Sequence, residues 1–255
     1  KYNQLFWVEP YKKEYKMAGH SHWAGIKHKK GRQDKLRSKI FSKISREITV
    51  AAKLGSKDPG TNHRLRAAIE AAKEANMPKD NINRAISKSQ IDKNENFENL
   101  RYEGFGPNNV AVIIEALTDN KNRTATKIRT SLQKYGGNLG TNGSTTHFFD
   151  NCGIIQISNK NISEEKMLDF ATMVEAKDCL SYKDMHEIIT KKEDFYKIKI
   201  EAEKLTQTLI YSDIEWRPKV LVNLKKEQEI DIKNMLELLE DEDDIQKVFH
   251  NCKFV

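Results

Sequence analysis

The chain has 255 residues and carries 44 Lys and Arg against 37 Asp and Glu, which gives a formal net charge of +7 at pH 7. This length exceeds what one compact domain usually takes, so we predict two or three domains and exclude a single small module. Hydrophobic residues make up 38% and charged residues 32%, with 12 Gly and 5 Pro, a composition that excludes a wholly disordered chain. No run approaches about 18 consecutive apolar residues, so no membrane-spanning helix is predicted.

The cysteine pattern indicates a reducing compartment, because Cys152, Cys179 and Cys252 are far apart, odd in number and without a Cys-x-x-Cys pair. Residues 1–16 lack an initiator Met, a continuous apolar segment and the Arg-rich bias of a transit peptide. We interpret them as an upstream extension, with an unusual targeting segment as the alternative, and leave them out of fold prediction.

Positive charge is concentrated in the first part of the chain. Residues 1–95 contain 22 Lys and Arg against 10 Asp and Glu, whereas residues 96–255 contain 22 against 27. Such asymmetry is typical of a cationic module that meets a polyanion, because clustered Lys and Arg release counterions from a phosphate backbone. The alternative is a general lysine bias on solvated helix faces.

The first predicted helix runs from Gln33 to Leu54 and has two distinct faces. Apolar residues recur every three or four positions along one face, and Gly55 ends the helix. A merely solvated helix usually mixes charge signs, but the opposite arc of this helix contains Val50 and no acidic residue. We therefore predict that this arc, the basic stripe, contacts nucleic acid or a ribosome through Arg32, Lys35, Lys39, Lys43, Arg46 and Lys53.

Two shorter helices complete a predicted N-terminal three-helix bundle. Turn residues 58–62 precede a helix that ends near Asn76, and the next begins around Pro78, since Pro is tolerated in a first turn. The polar residues 87–96 are predicted to be a linker. The basic arm and the bundle together therefore occupy residues 17–95.

Beyond the linker, strands and helices alternate, which indicates an α+β multidomain fold. Pairing a βαβ unit at 110–149 with another at 219–249 gives one split ferredoxin-like domain, residues 96–151 and 218–255. The strands and helices between them form a second α+β domain of the same βαβ-βαβ kind, residues 152–217, inserted into the first.

The arm that precedes the first helix is small, basic, aromatic and punctuated by glycine, so it suits a phosphate backbone better than a core. The predicted nucleic-acid contacts in this arm are His20, His22, Trp23, Lys27, His28, Lys29 and Lys30, with Trp23 stacking on a base or sugar. Two alternatives remain. The histidines are a weak metal-site pattern without a nearby Cys or carboxylate, and the arm could fold against the bundle with Trp23 buried.

Neither the glycine-rich loops nor the acidic run predicts catalysis. Gly104 to Asn109 and Gly136 to Ser144 each precede a strand, not the helix that a P-loop requires, so both are interpreted as turns. Contact of their amides with RNA phosphates is the alternative. The run Glu240 to Asp244 is predicted to be a solvated turn that repels nucleic acid, with a Mg²⁺ site as the alternative. No Ser/His/Asp or Cys/His arrangement is recognisable, so no enzyme, catalytic residue, metal or cofactor is predicted.

Several ungapped motifs resemble one family. They are MAGHSHWAGIKHKKGRQD, KIFSKISREITVAAKLG, ANMPKDNINRAI, RYEGFGPNNVAVIIEALTDNKNRT, GGNLGTNGS and LEDEDDIQKVFHN. The chain is similar in these segments to the YebC/PmpR family, whose mitochondrial relatives include the translational activator of cytochrome c oxidase. The match runs from Met17 to about Phe149 and resumes at the last motif. It is weak between about Ser158 and Leu224, where Ala-Lys-Asp-Cys at 176–179 stands in place of a Gly-Ala-Glu-Asp-like sequence.

The resemblance implies a three-domain protein without catalytic activity, in which a helical domain is followed by two α+β domains around a cleft. Members of the family are described both as DNA-binding transcriptional regulators and as ribosome-associated translation factors. Their basic, glycine-containing N-terminal motif corresponds here to Gly19 through Lys30.

These features together predict a non-enzymatic nucleic-acid-binding regulator of gene expression in the cytoplasm, or in the mitochondrial matrix if the chain is eukaryotic. The predicted partner is the ribosome or rRNA, with DNA as the alternative, and neither a membrane nor a small-molecule substrate is expected. RNA is favoured over DNA for two reasons. Most of the positive charge is lysine, which contacts phosphate groups without specifying bases. In addition, no helix-turn-helix with a helix that reads base edges is recognisable.

Overall fold

The protein is described from a computed structural model over residues 30–89, 97–160, 162–206 and 209–254, with side chains from Arg37 onward. The extension 1–16 and the arm up to residue 29 lie outside the described residues. Among the helices in the described ranges, none is both long and apolar enough to cross a membrane.

Helices and strands alternate after three initial helices. In chain order the elements are α1 (Lys30–Leu54), α2 (His63–Glu74), α3 (Lys79–Lys88), β1 (Glu98–Phe105), β2 (Ala111–Thr118), α4 (Lys121–Gln133), β3 (Asn138–Leu139), β4 (Phe149–Ser158), α5 (Glu164–Met173), β5 (Asp178–Ser181), β6 (Met185–Lys191), α6 (Phe195–Leu205), β7 (Tyr211–Pro218), β8 (Val222–Asn223), α7 (Lys226–Glu240), β9 (Ile245–His250) and β10 (Cys252–Lys253).

The three N-terminal helices share one small core. Its buried members are Ile48, Ala51, Ala52, Leu65, Ala68, Ala72, Met77, Ile82 and Ala85. Asn62 connects α1 to α2, since its side chain accepts a hydrogen bond from the Leu65 N–H and donates to the Ala51 carbonyl oxygen at 2.8 Å. Small alanines at the contact positions allow these short helices to approach closely.

The first sheet has the strand order β3-β1-β2-β9, with antiparallel pairing throughout. It begins with a β1–β2 hairpin, so the βαβ-βαβ organisation predicted for the split domain is wrong. The βαβ unit predicted at 110–149 ends in a 3-10 turn, Thr146–Phe148, followed by β4, and the first strand of the unit predicted at 219–249 reduces to β8. β1 escaped prediction because its exposed residues Glu98, Asn99 and Arg101 are polar and interrupt the apolar ones, so it has no continuous apolar run.

The second sheet, built from residues 149–218, has the strand order β5-β6-β4-β7. Its elements follow the succession β4-α5-β5-β6-α6-β7, and all its strand pairs are antiparallel. Its core consists of Ile155, Ile157, Ile162, Met167, Phe170, Ile188, Phe195, Ile198 and Ala202, which α5, α6 and the sheet bury between them. This unit is therefore continuous in sequence between two parts of the first.

An aromatic cluster joins the two sheets. Phe149, Phe249 and Ile113 are buried in it, and Trp216 packs at its edge. The indole Nε1 of Trp216 donates to Glu115 Oε1 at 3.0 Å, so the ring is held by a polar contact as well as by apolar burial.

Glu103 holds the second glycine-rich loop in place. Its buried carboxylate accepts hydrogen bonds from the backbone N–H groups of Gly143, Thr145 and Thr146 at 2.8–3.0 Å. Burial by itself raises the pKa of Glu103, but these hydrogen bonds outweigh burial and lower the pKa to about 2. The three amides are directed at Glu103, which disfavours the alternative that they contact RNA phosphates. Gly136 of this loop has φ +78°, the left-handed conformation that favours glycine, in keeping with the turn predicted there.

We predict that Glu103→Gln lowers the free energy of unfolding at pH 7 by about 3 kcal/mol, as expected for the loss of a pKa shift from 4.5 to about 2. Because the folded-state pKa lies below the unfolded value, the stabilisation is complete above about pH 4.5 and is lost as the pH falls towards 2. Urea denaturation of both proteins at pH 7, 4 and 3 measures this effect. A difference in stability that stays constant down to pH 3 would show that the charge of Glu103 does not hold the loop.

Candidate nucleic-acid interface

The basic stripe of α1 lies against residues 240–244, the acidic run that follows α7, here called the acidic turn. Lys43 Nζ donates to the Glu240 carbonyl oxygen at 2.9 Å. One turn earlier in α1, Lys39 forms an ion pair with Asp241. The basic stripe, predicted to contact nucleic acid, and the acidic turn, predicted to repel it, are therefore in contact with each other.

Asp244 is the centre of this contact, and its side chain is buried. Its carboxylate accepts hydrogen bonds from Arg46 at 2.6 Å, Arg123 at 2.9 Å and the Thr124 hydroxyl at 2.8 Å. Its backbone carbonyl oxygen accepts from the Leu117 N–H at 2.8 Å. Burial raises the pKa of Asp244, but the hydrogen bonds from Arg123, Thr124 and Arg46 outweigh it and lower the pKa. Asp244 thus joins α1, β2 and α4 through its carboxylate and its backbone carbonyl oxygen.

The prediction that the acidic turn is solvated holds for Asp241 and Asp243, which are exposed, and is wrong for Glu240 and Asp244. Glu240 and Asp244 are each only 4% exposed, and Lys127 of α4 pairs with Glu242 at 2.6 Å. A compact run of carboxylates between two basic helix faces is stabilised when hydrogen bonds satisfy its buried oxygens. One feature of the sequence indicated that this part of the basic arc is buried. Val50 is an apolar residue inside the arc, and it is 1% exposed.

The stripe residues differ in how deeply they are engaged. Burial lowers the pKa of Lys43 to about 8, although the attraction of Glu240 raises it. The side chains of Arg46 and Lys39 are 23% and 19% exposed, but Asp244, the partner of Arg46, is 5% exposed and Asp241, the partner of Lys39, is 40% exposed. Lys39, Lys43 and Arg46 therefore all serve the contact between the helices and the first sheet, and Lys39 differs in that its partner is open to solvent.

The remaining predicted contacts are not tested by these interactions. His20, His22, Trp23, Lys27, His28 and Lys29 fall outside the described residues. Lys30, Arg32 and Lys35 lie in the first turns of α1, and their side chains are also outside the description. Lys53 is half-buried near the C-terminus of α1. Of the predicted site, the described structure brings together Lys39, Lys43 and Arg46.

A cleft of about 610 Å³ opens between the helices and the first sheet. Its cations come from three helices, with Arg46 on α1, Arg84 and Lys88 on α3, and Arg123 on α4. Phe97, which precedes β1, also lines it. Arg84, Lys88 and Arg123 were not predicted as site residues, because α3 and α4 are far apart in the chain and no local motif links them.

The described residues offer little to metal or thiol chemistry. Within them, no group of three or more His, Cys, Asp or Glu side chains is arranged to hold a metal ion. Burial raises the pKa of Cys152 to about 11 and the pKa of Cys252 to about 12. Both thiols are therefore protonated at neutral pH, and neither supplies a thiolate nucleophile.

Comparison with known proteins identifies the family to which this chain belongs. Residues 21–92 match the N-terminal domain of TACO1/YebC proteins, and residues 97–252 match the TACO1/YebC second and third domain. The chain belongs to the TACO1/YebC family, which confirms the resemblance seen in its motifs.

Individual relatives match along almost their full lengths. A protein of Pelagibacter ubique named probable transcriptional regulatory protein is 53% identical, over 93% of this chain and 99% of its own. A protein of the same name from Zymomonas mobilis is 48% identical, over 92% of this chain and 94% of its own. The crystal structure of a conserved hypothetical protein from Aquifex aeolicus matches with a TM-score of 0.77 and 43% identity, covering 91% of this chain and 97% of that one. The mixed α+β multidomain fold is thereby confirmed.

We predict that Asp244→Asn lowers the free energy of unfolding by about 1.5–3 kcal/mol, because hydrogen bonds from two guanidinium groups to a buried charge are weakened. Glu242→Gln in the same turn is the matched control, since its pair with Lys127 is more exposed and should contribute less than about 1 kcal/mol. Urea denaturation at neutral pH compares the two variants with the wild type. Equal losses would contradict a central role for Asp244.

Proposed function

We propose that the protein is a non-enzymatic nucleic-acid-binding regulator of gene expression, and more specifically a ribosome- or RNA-associated translation factor. The observation that carries this proposal is that the basic face of α1 binds anionic and carbonyl oxygens, those of the acidic turn. A phosphate backbone presents the same chemistry as a repeating row of anionic oxygens. The excess of 22 basic over 10 acidic residues in residues 1–95 supports a polyanionic partner.

The proposed contacts divide by position along α1. The arm and the N-terminal half of the helix meet nucleic acid, through His20, His22, Trp23, Lys27, His28, Lys29, Lys30, Arg32 and Lys35. Lys39 exchanges its ion pair with the half-exposed Asp241 for a phosphate oxygen. Lys43 and Arg46 are positioning residues, since they hold α1 on the acidic turn, and Lys53 is a peripheral contact.

The geometry of α3 favours RNA over duplex DNA. Residues 75–78 join α2 to α3 in a short turn, with Asn76 at φ +57°, so this pair has the outline of a helix-turn-helix. A recognition helix needs an open face to enter a major groove about 12 Å wide. Here Arg84 and Lys88 line the cleft together with Phe97 and Arg123. That face of α3 is therefore directed at another part of the protein and is less open to a major groove.

A DNA-binding transcriptional regulator is the second candidate, because the relatives are named probable transcriptional regulatory proteins. Since these relatives are bacterial, they also favour the cytoplasm over the mitochondrial matrix for either candidate. Ultraviolet crosslinking in the native cells, with RNA and DNA sequenced from one purification, separates the two. Discrete rRNA crosslinks with negligible DNA support the translation factor, and promoter DNA above background RNA supports the alternative.

Two variants that break the same ion pair test the role of Lys39. We predict that Lys39→Gln weakens nucleic-acid binding at about 150 mM salt and flattens the salt slope by roughly 0.7 to 0.9, because one phosphate contact is lost. Asp241→Asn should instead strengthen binding, because it releases Lys39 and removes a competing negative charge. Fluorescence anisotropy with a labelled single-stranded RNA measures both variants.

Stability provides the control for this pair. Both variants remove one partly exposed ion pair, so both should change the free energy of unfolding by less than about 1 kcal/mol. If Lys39 has only a structural role, the two variants will change binding in the same direction. That outcome would remove Lys39 from the proposed interface.

A further inference from the structure

We propose that the cleft between α1, α3 and the start of α4 binds one unstacked nucleotide of a single-stranded RNA. The inference rests on the proposed function and adds to it a second site, whose described lining residues belong to α1, α3, α4 and the segments beside β1 and β2. The ligand group that the cleft recognises is a nucleoside phosphate, which has a negative charge at one end and a flat aromatic base at the other.

The cleft is cationic in a way that suits phosphate. Arg46, Arg84, Lys88 and Arg123 line it, against the single carboxylate of Asp119 among the described lining residues. Arg46 and Arg123 both donate to Asp244, at 2.6 and 2.9 Å, and so are held in place before any ligand arrives. Pre-oriented guanidinium groups bind a phosphate at a smaller cost in side-chain entropy than mobile ones.

An aromatic wall accompanies these charges. The ring of Phe97 lines the cleft, and the Arg46 guanidinium lies 5.7 Å from its centroid. Proteins that bind unpaired bases stack them on aromatic rings and on guanidinium planes. Asn81 and Ser42 add polar groups that suit a base edge or a sugar hydroxyl. The cleft therefore offers partners for each part of a nucleotide.

Size and position favour an unpaired strand. About 610 Å³ lies within the range of small-ligand pockets, which suits a splayed-out nucleotide and excludes a duplex. The cleft is also continuous with the interface proposed above, because Ser42 lies three residues after Lys39, about 4.5 Å along α1. A strand that contacts the first half of α1 thus needs only one nucleotide step to reach the cleft.

The test uses the full chain and two matched double variants. Arg84→Gln with Lys88→Gln removes two cleft cations, and Lys73→Gln with Lys79→Gln removes two exposed cations that do not line it. All four side chains are exposed, so folding should be preserved, and circular dichroism melting checks this. The probes are an eight-nucleotide single-stranded RNA, the same sequence as single-stranded DNA and as duplex RNA, and uridine monophosphate alone.

We expect the cleft variant to weaken RNA binding at least about tenfold and to flatten the salt slope by roughly 1.4, and the control variant to weaken it less than about threefold. An RNA that carries 4-thiouridine should crosslink to Phe97, as mapped by mass spectrometry. Single-stranded DNA, duplex RNA and uridine monophosphate should each bind more weakly than the single-stranded RNA.

Each contrary result has a distinct meaning. Equal weakening in both double variants, without a crosslink at Phe97, would overturn the cleft site and leave the proposed function standing. Uridine monophosphate that binds as tightly as the oligomer, or DNA that binds as tightly as RNA, would overturn the assignment to an RNA strand. A wild-type protein that binds none of the probes would overturn the cleft site and the proposed function together.

Discussion

The arrangement of the molecule depends on the buried carboxylate of Asp244. It receives Arg46 from α1 and Arg123 from α4, while its backbone carbonyl oxygen accepts from Leu117 of β2. Buried carboxylates are stable only when paired and hydrogen-bonded, so the position of α1 on the first sheet is set by charge complementarity. Val50, in the same arc of α1, is 1% exposed, so apolar burial accompanies this pairing. Further polar contacts also orient the helices, among them Lys43 with the Glu240 carbonyl oxygen and Arg64 with Asn99.

This constraint also organises the surface that we propose for nucleic acid. Because the acidic turn engages Lys43 and Arg46, we assign these two residues to positioning α1 and propose the nucleic-acid contacts for stripe residues nearer the N-terminus of the chain. The same carboxylate orients two cations of the cleft, so the contact that docks α1 prepares a second cationic surface beside it. A change at Asp244 would therefore alter stability and the shape of the cleft together.

Much of the architecture could be predicted from local pattern, and the failures have physical causes. The helical period of α1 and the family motifs identified real features, because both depend on residues that are close in sequence. β1 was missed because its outer residues are polar, and the split domain was consequently assigned the wrong strand succession. The acidic turn was interpreted as solvated because single charged residues normally are, and nothing local to residues 240–244 identifies Arg46 or Arg123 as partners.

The sequence by itself determined the helices, the family, the separation of positive charge into residues 1–95 and the α+β class. Those properties follow from composition and from spacing along the chain. Only the tertiary structure decided that the basic stripe meets the acidic turn, that Glu103 holds the glycine-rich loop, and that α3 lines a cleft. The physical reason is that each of these contacts joins segments far apart in the chain, by 198 positions for Arg46 and Asp244, and pairing at that range leaves no local periodic signal.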